Sequence, residues 1–203
     1  MPDGGGLIET IPVGVWLPPQ DLLALTNRVG EALHQTCEIR SQRGKSFREA
    51  YMASRFALFR GAEAVRLLPE TGQHTPDFAI RLHGQELIYE NTEADNPLLH
   101  RNEAYETTCR QFGIGEAHPT TTPVMISPDA YATEIARLVA KKVAKHYQRC
   151  QGLLIRSNTT WIEGLEDPPL DWWRAACAGA KARFEECWVF HHRHFFAVYE
   201  GAD

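Results

Sequence analysis

One stretch, Pro76–Glu93, narrows the choice of fold more than any other in the chain. Its two short apolar runs, Phe78–Leu82 and Leu87–Tyr89, are joined by His83-Gly84-Gln85, which predicts a β-hairpin with glycine at its turn. On this reading Asp77 opens the first strand and Glu90 closes the second. Antiparallel pairing brings the start of one strand beside the end of the next, so both carboxylates are expected at one edge of the sheet. Two acids there repel each other unless a cation lies between them, and hard oxygen ligands favour Mg²⁺ or Mn²⁺. A metal site is therefore expected. The alternatives are an Asx-turn after Pro76 for Asp77 and a solvated strand end for Glu90.

The flanking sequence reads as helices around a sheet. Pro12, Pro18 and Pro19 keep the first 19 residues irregular, and Asp21 is placed to cap a helix reaching about Ile39. Gln42-Arg43-Gly44-Lys45 is expected to break the chain. Ser46 and Glu49 then form a capping box for a helix over about 47–62. Ala64–Leu68 reads as a short strand. After the hairpin come a polar stretch (91–105), a short helix to about Phe112 and a loop rich in Gly, Thr and Pro (113–128). Ile135, Val139, Val143 and Tyr147 recur every four residues, so 128–148 is the longest amphipathic helix, with Arg137, Lys141, Lys142 and Lys145 on its other face. Leu153-Leu154-Ile155 reads as a strand buried on both faces. A helix at about 170–183 and strands at Trp188–Phe190 and Phe195–Tyr199 complete the series. The expected class is α/β: a single domain with a central mixed sheet of five to six strands flanked by helices. Residues 1–45 form the lead-in and first helix, and 46–203 the core.

Composition removes several function classes. A net charge of −5 argues against a uniformly polyanion-binding surface, so any nucleic-acid contact must rely on local patches. Five scattered cysteines with no Cys-x-x-Cys spacing argue against a disulfide framework or a thiolate zinc site, and for a reducing cytoplasm. No apolar run approaches the roughly 20 residues that span a bilayer. The acidic, glycine-rich start does not read as a signal peptide. Gly-x-Ser-x-Gly and phosphate-cradling glycine loops are missing, which sets aside those hydrolases and nucleotide binders.

Other residues carry two readings each. His191, His192 and His194 admit a zinc site, with His192 and His194 on one strand face, or a polar cluster at a tight turn. Trp172-Trp173 reads as core first and as a base-stacking pair second. Arg40, Arg43, Lys45 and Arg48 form the densest basic run of the first half, either a solvated helix end or a phosphate-backbone patch. Arg43, Lys45 and Arg48 are the candidates for nucleic-acid contact.

Pro76-Asp77, then Glu90-Asn91-Thr92 thirteen positions on, together with the element order over about 45–200, resembles the PD-(D/E)xK nuclease superfamily and its restriction-endonuclease-like fold. The resemblance implies a Mg- or Mn-dependent nuclease that cleaves phosphodiester bonds, with DNA the expected partner. Asp77, Glu90 and the backbone carbonyl of Asn91 would hold the metal, and Glu49 on the preceding helix would assist. The stretch Glu90–Ala94 also resembles a subset of uncharacterised members with a Glu-x-Thr-Glu-Ala signature. One departure stands out: Thr92 occupies the position where the family carries lysine, whose charge orients the attacking water. Some members supply this cation from the following helix, which nominates Lys141 or Lys142, with Arg101 as second choice. If none of these reaches the carboxylates, the expectation changes to a degenerate module that binds nucleic acid or assembles with protein without cutting. A homodimer stays open, with no residue arguing for it.

Overall fold

The computed structural model describes residues 9–35, 42–71, 75–95, 126–147, 149–158, 162 and 168–201, and leaves the side chains of Gln35, Gln42 and Arg43 undescribed. Strands β1 (Ala64–Leu67), β2 (Phe78–Leu82) and β3 (Gln85–Ala94) pair antiparallel in succession. The β2–β3 turn needs only His83 and Gly84, at φ 50° and 75°. Positive φ at both central residues is the type I′ signature, whose twist matches that of the strands it joins. Strand β4 (Gly152–Ser157) lies parallel to β3 on one side and to β5 (Glu186–His191) on the other. A second hairpin joins β5 to β6 (His194–Tyr199) through His192-Arg193, at φ 45° and 72°. The sheet is thus mixed and six-stranded, in chain order.

Helices cover both faces. Helices α1 (Pro19–Gln35) and α2 (Gln42–Phe59) bury Leu22, Val29, Leu33, Met52 and Phe56 against Phe78, Ile80, Tyr89, Leu154 and Trp188. Helices α3 (Pro128–Val143) and α4 (Leu170–Ala176), with a 3₁₀ turn at Ala178–Ala182, bury Tyr131, Ile135, Val139 and Trp173 against Leu153, Ile155, Cys187 and Val189. Side chains alternate along a strand, so β4 sends Leu153 and Ile155 into one layer and Leu154 into the other. The expected single α/β domain, a central mixed sheet flanked by helices, is what the chain adopts.

Several local expectations fail for identifiable reasons. No break occurs at Gln42–Lys45: α2 starts at Gln42 and runs through Gly44, so Ser46 lies inside it and Glu49 belongs to no capping box. Glycine costs a helix about 1 kcal/mol relative to alanine, and burial of Ala50, Met52, Ala53 and Phe56 further along α2 outweighs that. Glu90 does not close its strand. With β4 alongside, β3 continues through Asn91, Thr92 and Glu93 to Ala94. Helix α3 stops at Val143, well short of 148, and 170–183 is divided between α4 and the 3₁₀ turn. The helix expected near Phe112 lies outside the described residues.

Two close contacts fix the hairpin next to β4. Gly152 is the register partner of Tyr89, and a Cβ there would fall 2.4 Å from the tyrosine ring. The Tyr89 hydroxyl donates to the Glu186 carboxylate, which also accepts from Arg60 at 3.0 Å and from the Trp188 indole at 2.9 Å. This network locks the strand that carries Glu90.

Candidate active site

Strand β3 outruns β2. Pairing between them ends at Phe78–Tyr89, and the rest of β3, Glu90–Ala94, is paired with β4. Past the end of β2, residues from both helical layers meet at the sheet edge and line a cleft of about 450 Å³. Helix α2 contributes Lys45, Arg48 and Glu49, the bend before β2 contributes Asp77, β3 contributes Glu90–Glu93, and α3 with the bend after it contributes Lys142 and Lys145.

Asp77 is held by backbone. Its amide donates to the Tyr89 carbonyl at 3.0 Å, and its Oδ2 accepts from the Asn91 amide at 2.7 Å. Glu90 alternates with Tyr89 and so points to the α3 side, where it is 1% exposed. There its Oε1 accepts from Lys142 and, at 3.4 Å, from Lys145. Lys142 also donates to the Asn91 carbonyl at 3.0 Å. The other oxygen, Oε2, is buried and has no hydrogen-bond partner among the described residues.

Crowded acids shift the local chemistry. Burial first, then the charges of Glu90 and Glu49, push Asp77 up to about 7, against the opposing pull of Lys142 and the Asn91 amide. Glu49 is also raised, again by burial first, with Lys45 opposing at 3.6 Å. Cys150 is pushed up to about 12 by burial and then by Glu90, which leaves a neutral thiol and no thiolate nucleophile. Tyr147, 2% exposed, is likewise raised by burial and by Glu90, so its hydroxyl stays protonated beside that carboxylate.

Most of the expected residues converge here: Asp77, Glu90, Glu49, Asn91, Lys142, Lys45 and Arg48 line one cleft. Lys141 does not join them; it is exposed. At 100° per residue it lies two positions past the inward Val139, whereas Lys142 lies three past it and returns to the sheet side. Arg101 falls outside the described residues, as does the Arg43 side chain. Arg48 faces Glu93 at 3.7 Å, and Lys45 bridges Glu49 and Glu70. Sequence reading missed Lys145 and Tyr147 as site residues. The Lys142/Lys145 spacing of three carried the first signal: Lys142, seven past Ile135 and three past Val139, already shares the apolar side, whereas Lys145 lies beyond the end of α3 at Val143. His192 occupies the turn and does not share a strand face with His194. Trp173 is core, at 1% exposure.

The donor set discriminates between metals. Among the described residues no three His, Cys, Asp or Glu side chains converge as one metal-binding group. Such a set is too sparse for a zinc or calcium cage. Mg²⁺ needs less: one or two carboxylates, with water and substrate phosphate completing the octahedron. Asp77, Glu90 and the Asn91 carbonyl offer oxygen only; Lys142 already donates to Glu90 Oε1 and the Asn91 carbonyl, and Glu90 Oε2 has no hydrogen-bond partner among the described residues.

No family model, curated protein or solved structure matches the chain.

Proposed function

We propose that the protein is a Mg²⁺- or Mn²⁺-dependent nuclease that hydrolyses phosphodiester bonds, with DNA as substrate, on a restriction-endonuclease-like fold. The observation that carries this reading is Lys142. Thr92 leaves the motif without its cation, and an ammonium from α3 stands against both Glu90 and the Asn91 carbonyl, beside Asp77. Asp77, Glu90 and the Asn91 carbonyl would hold the metal. When bound, the ion supplies Lewis-acid stabilisation of the phosphate and lowers the pKa of a coordinated water. Lys142 offsets charge that develops on the phosphate oxygens, a task for a fixed cation in a partly desolvated cleft. Lys145 adds a second positive charge on the α3 side, and on the α2 side Lys45 and Arg48, each paired with an acid of the cleft, would have to exchange those partners for backbone phosphates.

The second reading is a non-cutting module of the same fold. It is favoured by the carboxylate–lysine pairing, since Lys142 and Lys145 already neutralise Glu90 without any ion. A plasmid-nicking assay separates the two. Nicking is expected with Mg²⁺ or Mn²⁺, is absent in EDTA, and is lost in Asp77→Ala. A folded wild type that leaves plasmid intact with both metals selects the module.

A further inference from the structure

A second cleft, of about 500 Å³, opens between α1, α2 and the β5–β6 turn. Tyr51, Phe59 and Phe195 supply its rings; Arg55, Arg193 and His194 supply charge, and no acid lines it among the described residues. In a chain of net charge −5 this is a local reversal of sign. Phe59 is 50% exposed, an uncommon state for so large an apolar ring, and it leans on Phe195 at 5.2 Å. The Arg55 guanidinium is pre-positioned, donating to the Tyr51 hydroxyl at 2.7 Å and lying 5.0 Å from the Phe190 ring centre. Helix α2 connects the two clefts. Arg48 lines the first and Arg55 the second, seven residues or about 10 Å along the same side of the helix.

We infer that this second cleft is a subsite for single-stranded nucleic acid, in which a base stacks on Phe59 and Phe195 while Arg55 and Arg193 hold the adjoining phosphates. Ring faces beside a cationic groove bind single strands with little sequence preference, because every base has a π-face and every linkage a negative charge. A peptide carrying acidic and aromatic residues would satisfy the same cleft. Nucleic acid is favoured because the basic side of α2 leads from Arg55 to the carboxylate cleft. The inference rests on the reading of that cleft as a phosphodiester site, and it narrows the substrate to strands with unpaired bases.

The test measures fluorescence anisotropy of labelled oligothymidine and of a blunt duplex, in EDTA, with the full chain. Wild type, Phe59→Ala and Arg193→Asn are compared; Asn tolerates the left-handed backbone of the turn, so that variant retains the fold if Phe59→Ala does not. Thermal melting establishes which variants are folded. Oligothymidine binding is expected to weaken about tenfold in Phe59→Ala and several-fold in Arg193→Asn. Duplex binding, and Mn²⁺-dependent hydrolysis of a small chromogenic phosphodiester, are expected to stay unchanged. Oligothymidine affinity that is undetectable in wild type, or equal in the folded variants, overturns the subsite. So does more effective competition by an acidic aromatic peptide than by unlabelled oligothymidine. If the small diester is not hydrolysed but the stacking variants still lose oligothymidine binding, the subsite stands and the nuclease reading falls.

Discussion

A carboxyl that titrates near pH 7 in the folded chain makes folding itself pH-dependent. Unfolded, Asp77 titrates near 3.8; folded, it is held up at about 7. Between those values the native state carries the extra proton, so metal-free stability falls as pH rises through this window and levels off above it. The width of the window limits the effect to at most about 4 kcal/mol. Glu49 adds in the same direction; Glu9 and Glu70 oppose it, but both are exposed and weakly coupled. In EDTA the wild type is expected to melt lower at pH 7.5 than at pH 5.5. Asp77→Asn, which keeps an acceptor for the Asn91 amide, should melt above wild type at pH 7.5 and close to it at pH 4. A flat wild-type profile in differential scanning calorimetry contradicts the assignment. Tyr147 invites a separate substitution. Its hydroxyl and Glu90 Oε2 are both buried and unpartnered among the described residues, and they lie near one another. Tyr147→Phe removes a buried hydroxyl with no hydrogen-bond partner among the described residues, so the melting temperature should hold or rise. A loss above about 2 kcal/mol would mean that the hydroxyl bonds the carboxylate in solution.

At the scale of elements, legibility followed the strength of the local pattern. The two hairpins, the buried β4 and the amphipathic start of α3 were readable because alternation, turn residues and helical periodicity each pointed one way. Two things were not. Strand β3 runs on past Glu90 through polar residues because β4 supplies its partner, a long-range fact that composition hides. Helix α2 runs through Gly44 because burial outweighs propensity. The same limits shaped the site: Asp77, Glu90 and Lys142 could be named from spacing and phase, whereas Lys145 lines the cleft from the bend after α3 stops at Val143. Between β3 and β4, Gly152 faces the Tyr89 ring so closely that a Cβ would fall 2.4 Å from it. Gly152→Ala forces that ring aside and is expected to destabilise the fold by about 1–3 kcal/mol. Metal-dependent nicking should fall with it, since Tyr89 precedes Glu90. Unchanged urea denaturation would show that the ring has room to move.

Over the whole molecule, one sheet is enclosed by two helical layers, and where β2 stops short both layers reach the same edge. That arrangement lets α2 and α3, far apart in sequence, present Glu49 and Lys142 to a pair of strand-borne carboxylates. No described helix is long and apolar enough to cross a membrane. Lys142 stands where it would supply, across the layers, the cation that Thr92 does not. Cleavage rates at saturating Mn²⁺, compared between wild type, Lys142→Ala and Lys142→Arg, test that role most directly. A loss of about 10²-fold or more is expected in Lys142→Ala, with partial retention in Lys142→Arg and Mn²⁺ binding preserved in both. A folded Lys142→Ala that cleaves at the wild-type rate would contradict it.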